Sequence, residues 1–246
     1  MSRRALLGVA AGLAVGGPAL AQTAPLTIGA DYRIPLSRPD RRKLDAWVEA
    51  LRGKVAGWWP TLTTRLGSPG FTPTRTVTVR FIYILPKQIP AATRGDVILV
   101  DPGELLARVR NPDTLGMIGH ELVHVVQAYP KGQPPWLVEG IADYMRYYVL
   151  LPGDPSRYFD PASVDWRTGY QPTAGLLDFV ERAQPGAVQT INAIMRQGGD
   201  GPAALAKLGG APPDQLWASY MATRPAAADA AAAGRSVERI MLNSAG

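Results

Sequence analysis

The stretch "GHELVHVVQ" at residues 119–127 holds both histidines of the 246-residue chain, His120 and His124. Side chains four apart on an α-helix leave from one face, so the two imidazoles can meet at a single cation. Glu121 sits at the flank of that face, where it can take a proton from a water without occupying the cation. His-Glu-x-x-His in a helix has the mechanics of two zinc ligands and a general base. The competing account is a plain helix whose two histidines are satisfied by hydrogen bonds. Against it, no histidine is spent elsewhere, and two titratable rings and a carboxylate on an apolar helix need a reason to be there.

A catalytic zinc with three protein ligands needs one more. Cysteine is absent and no further histidine exists, so the third must be a carboxylate. "PPWLVEGIADYMRYY" supplies Glu139 and Asp143, again four apart and on one face of a helix expected to start at Pro135. The short link "AYPKGQPP" can return this helix antiparallel to the first. One acid can then reach the metal while the other accepts a hydrogen bond from a ligand histidine; spacing leaves open which does which. Trp136, Leu137, Ile141, Tyr144 and Met145 surround the acids with core-type residues, which argues against an exposed acidic cap.

The elements that must position these groups follow from periodicity. Asn111 is a fitting N-cap for the histidine helix, with Pro112 at its first position. Leu115, Ile118, Leu122 and Val125 give it an apolar stripe to pack on strands. Residues 40–58 repeat apolar residues at helical spacing (Leu44, Trp47, Val48, Leu51, Val55), and Pro60 is expected to open a separate short turn. Trp58 and Trp59 belong to the core, and Arg52, Lys54 and Arg65 to a solvated face. "TRTVTVRFIYIL" reads as a strand with Val77, Val79, Phe81 and Tyr83 on one face, and "DVILV" (residues 96–100) as a second. The second could be the sheet edge to which an extended peptide adds. Residues 22–39 read as an irregular lead-in, and the chain after "DVILV" as helical, with Pro or Gly at most boundaries, to about Met221. Gly116 and Gly119 weaken the histidine helix and are expected to admit a strand or ligand closely.

Residues 1–21 read as a signal peptide: a basic head "MSRR", an apolar run, and "ALA" before Gln22. Gly16, Gly17 and Pro18 interrupt that run, which argues against a retained membrane span. Export to the periplasm or exterior is therefore expected; the paired arginines raise the twin-arginine route beside the general one. Losing Arg3 and Arg4 takes the formal charge from +6 to +4. That is too mild, and too evenly spread, to mark a nucleic-acid partner. With 46% hydrophobic and 19% charged residues, the chain is of globular type. Residues 22–224 are expected to form a single domain and 225–246 an alanine-rich tail. Oligomeric state leaves no signal.

"GHELVHVVQAY", "WLVEGIADYMRYY", "DWRTGYQPTAGLLDFVE" and "PDQLWASYM" occur in the order found in the basic secretory protein family, zinc peptidases of plants and bacteria of the broad zincin group. The chain resembles that family over roughly residues 76–220. The resemblance implies an α+β zincin-like fold: a small mixed or antiparallel sheet on the active-site helix, then a mostly helical C-terminal part. It implies Zn2+ held by His120, His124 and Glu139. Asp143 would support a ligand from behind, following the Glu-x-x-x-Asp arrangement of glutamate-zincins, with Glu121 as general base. Tyr170, at the polar end of the third block, is the first candidate for the oxyanion donor and Tyr144 the second. Val123 stands where many members carry a hydroxyl residue, and Gln171 where an acid is usual. The implied activity is hydrolysis of peptide bonds in a peptide or protein substrate. The alternative is an exported binding protein that keeps the fold without hydrolysis.

Overall fold

Alternating buried and outward residues in Thr76–Phe81 make β2 the spine of a four-stranded sheet. The computed structural model describes residues 25–83, 89–111 and 113–224. Strand order is β1-β2-β4-β3: β1 (Thr27–Tyr32), β2 and β4 (Val97–Val100) run parallel, and β3 (Ala91–Arg94) closes the sheet antiparallel to β4. One face of this mixed sheet receives α1 (Arg38–Arg65) and α3 (Asp113–Gln127), with α2 (Pro102–Ala107) between them in sequence. Helices α4 (Pro135–Tyr144), α5 (Tyr170–Ala183), α6 (Ala187–Arg196), α7 (Gly201–Gly209) and α8 (Pro213–Thr223) build the C-terminal part. A π-helical turn, Met145–Leu150, continues α4. Val77, Val79, Phe81 and Ile98 from the sheet meet Leu44, Leu51 and Trp59 of α1 and Ile118 and Leu122 of α3 in one core.

Several expectations need correction. Residues 27–32 are not irregular: "TIGADY" pairs in register with β2, and Asp31 accepts hydrogen bonds from Arg80 and Arg33, both at 2.8 Å. Arg52 is more than a solvated cation, since it donates to the Ile28 carbonyl from α1. Pro60 does not open a new element but lies inside α1. Proline deprives the carbonyl four residues earlier of its donor; Ala56 and Pro60 both lie on the exposed side, where solvent can reach that carbonyl. Tyr83 falls beyond the end of β2 and is 65% exposed. "DVILV" is an interior strand, and the edge beside it is β3. Gly116 and Gly119 admit no strand or ligand: a Cβ there would press on Leu151 (2.8 Å) and on Leu150 and Trp58 (3.3 and 3.4 Å). Pro112, the 1–21 leader and the 225–246 tail lie outside the described residues.

Candidate active site

Helix α3 begins where the Asn111 Oδ1 accepts the Asp113 N–H at 2.9 Å. Its apolar side, Ile118, Leu122, Val123 and Val126, is fully buried, which holds the opposite side towards a cleft of about 1050 Å³. His120, Glu121, His124, Glu139, Asp143 and Tyr170 all line that cleft. Helix α4 reaches it through close packing on α5. A Cβ on Gly140 would fall 2.2 Å from the Thr173 Cγ2, so only glycine lets the two helices approach this far.

Two side chains orient the imidazoles from behind. The His120 Nδ1 lies 2.7 Å from the Asp143 Oδ1, and the His124 Nδ1 lies 2.7 Å from the Gln127 Oε1. Gln127 is itself fixed by donating to the Val138 carbonyl at 2.9 Å. Both rings therefore turn Nε2 to the same point, with the two nitrogens 3.1 Å apart. The Glu139 Oε2 stands 3.1 Å from the first and 3.5 Å from the second. His120, His124 and Glu139 thus form a cluster able to hold a metal ion. A tetrahedral zinc with bonds of about 2.0–2.1 Å separates its ligand atoms by about 3.3 Å. Two imidazole nitrogens and a carboxylate oxygen at 3.1–3.5 Å fit that requirement.

Without a cation the cluster holds its charges by pairing. Burial alone would lower the basicity of His120, but the hydrogen bonds to Asp143 and Glu139 outweigh it and raise the imidazolium from 6.5 to about 10. Burial would raise Glu139, yet the His120 and His124 hydrogen bonds take it from 4.5 down to about 2. A metal ion held by this cluster would take the place of a proton.

Glu121 faces the cleft beside this cluster. Its Oε2 accepts a hydrogen bond from the Thr93 Oγ1 of β3 at 2.7 Å. The Tyr170 ring stacks near His120, with centroids 6.1 Å apart and planes 15° from parallel. It is carried there by an unusual turn. Gly169 has φ +79° and packs so tightly on Trp136 that a Cβ would fall 3.2 Å from its Cα. Tyr170 itself takes φ +47°, a conformation bulky residues seldom adopt. Burial, reinforced by the Glu139, Asp143 and Glu121 carboxylates, pushes its phenol up to about 12, so it keeps its proton at neutral pH. Tyr144 is not at the cleft. It is buried against Tyr148, 5.9 Å between ring centroids, and burial, then the Glu181 and Asp178 carboxylates, push its phenol up to about 12.

Sequence reading passed over Thr93 and Gln127. No motif marks Thr93, whose partner is 28 residues away. Gln127, three residues beyond His124, was within reach of helical spacing, which places i and i+3 side by side.

No curated protein and no solved structure matches the chain. A family described as BSP, peptidase of plants and bacteria, does match, over residues 52–220. The match begins midway through α1 and ends in α8, taking in the sheet from β2 onward and every side chain of the cleft named above. By that match, and with a cluster able to hold a metal at its centre, the chain belongs to the family of peptidases of plants and bacteria.

Proposed function

We propose that the protein is an exported zinc-dependent peptidase of the glutamate-zincin type. The observation that carries this is the convergence of His120 Nε2, His124 Nε2 and Glu139 Oε2 at 3.1–3.5 Å, with the Glu121 carboxylate alongside. His120, His124 and Glu139 are the zinc ligands, Asp143 and Gln127 the groups that orient the imidazoles. Zinc in such a site supplies a Lewis acid that brings the pKa of water towards about 7.

The remaining steps belong to the chain's own residues. Glu121 takes the proton of the attacking water and returns it to the leaving amine, so one carboxylate serves as base and then acid. Tyr170 donates its hydroxyl hydrogen to the substrate carbonyl oxygen as negative charge develops there. An extended peptide lies along β3. Asp101 N–H donates to the Pro90 carbonyl, so by antiparallel alternation residues 90, 92 and 94 face β4. The amides and carbonyls of Ala91 and Thr93 point away from β4 and have no backbone partner among the described residues, so a peptide backbone can pair with them. Export by the leader at residues 1–21 completes the reading. No helix among the described residues is long and apolar enough to cross a membrane.

The test is release of peptides from an unfolded protein mixture, with zinc content measured alongside. Wild type should cleave, a chelator should stop cleavage, and zinc should restore it. Glu121→Gln should retain zinc and lose activity by at least about 100-fold. Zinc-loaded wild type that cleaves no better than Glu121→Gln would replace this reading with that of a non-catalytic binding protein.

A further inference from the structure

We propose that Thr93 is the positioning residue for Glu121, tying the general base to the strand that receives substrate. The inference rests on the reading of Glu121 as base. Glu121 is 7% exposed, so few waters are left to orient its carboxylate. Among the described residues its side chain has one hydrogen bond, from the Thr93 Oγ1 to Oε2 at 2.7 Å. The same hydroxyl lies 3.0 Å from the Glu121 backbone carbonyl, so its single hydrogen is shared between two acceptors of one residue, with the shorter contact to the carboxylate. With Oε2 occupied, the other carboxylate oxygen has no hydrogen bond among the described residues.

Thr93 suits the task in two further ways. A β-branched side chain has restricted χ1 freedom, so its hydroxyl is held in place by the strand. Its backbone faces the open side of β3, as the register with β4 requires. A peptide pairing with the edge therefore grips the same residue whose side chain sets the base. Movement of β3 and misdirection of Glu121 become one event.

Thr93→Val keeps the shape of the side chain and removes the donor; Thr93→Ser keeps the donor and removes a methyl. Thr93→Val should lower kcat about tenfold with KM and zinc content unchanged, and Thr93→Ser should recover kcat to within about twofold. Crystal structures of the metal-free proteins give a second readout that needs no turnover. The Glu121 carboxylate should keep its position in the serine variant and turn away in the valine variant. Wild-type kcat in Thr93→Val, an equal loss in both variants, a loss in KM alone, or an unmoved carboxylate in Thr93→Val would each overturn the assignment. If zinc-loaded wild type proves inert, the peptidase reading fails, and the carboxylate positions still decide whether Thr93 places Glu121.

Discussion

The two walls of the cleft are built in opposite ways. On one side α4 lies against α5 so tightly that Gly140 has no room for a methyl group, and Asp143 is buried with its carboxylate on His120. On the other side β3 is a four-residue edge strand whose outer backbone side has no partner among the described residues, and its last residue, Arg94, is exposed. Ligands for a metal must be held to within a few tenths of an ångström, which close packing and buried hydrogen bonds provide. In the proposed reading the other wall receives the substrate and must stay vacant until a peptide arrives. The contrast separates what the molecule fixes from what it leaves open.

The sharpest test of that contrast is on the packed wall. Glu139→Ala should reduce zinc affinity far beyond the roughly 10- to 100-fold typical of losing a supporting partner. Asp143→Asn should fall within that range; a chromogenic chelator in competition measures both. Gly140→Ala comes next, because its Cβ meets the Thr173 methyl group at 2.2 Å. Overpacking of this kind should lower stability by about 2–3 kcal/mol in guanidinium titration. A pH series on the metal-free protein gives a smaller, graded effect. The raised imidazolium of His120 stabilises the fold in full below pH 6.5 and less as pH climbs towards about 10. The depressed Glu139 carboxylate stabilises it above pH 4.5 and loses that effect as pH falls towards about 2. Urea midpoints should therefore peak between these limits, and zinc uptake at pH 7 should release a proton, readable by calorimetry in two buffers. On the open wall, Arg94→Ser should change stability by no more than about 0.5 kcal/mol. A loss there as large as at Gly140 would erase the distinction between the walls.

What could be read in advance follows the same division. The histidine helix announces itself through local spacing, because a turn of helix turns sequence order into geometry directly. The alternation in Thr76–Phe81 does the same for β2. The strand "AATR" has no such signal: two alanines and an arginine carry little β preference, and β3 exists through its pairing with β4. "TIGADY" likewise becomes a strand by pairing with β2, across 49 residues in the Asp31–Arg80 contact. Glu139 and Asp143 are equivalent by spacing. They differ in which nitrogen of His120 each one faces, Nε2 or Nδ1, and that depends on how α4 is docked. Pro60 misleads because a local rule, that proline ends helices, has an exception wherever the freed carbonyl meets water.

The far end of α3 has its own fastening. Arg196 of α6 donates to the Val126 and Gln127 carbonyls and, together with Asn192, to the Leu66 carbonyl that ends α1. A single guanidinium thus finishes two helices made long before it, the nearer of them 69 residues upstream. A nascent chain halted before α6 would have both imidazoles but lack the guanidinium that covers the last carbonyls of the helix that bears them. Those carbonyls would stay open to water until α6 is made.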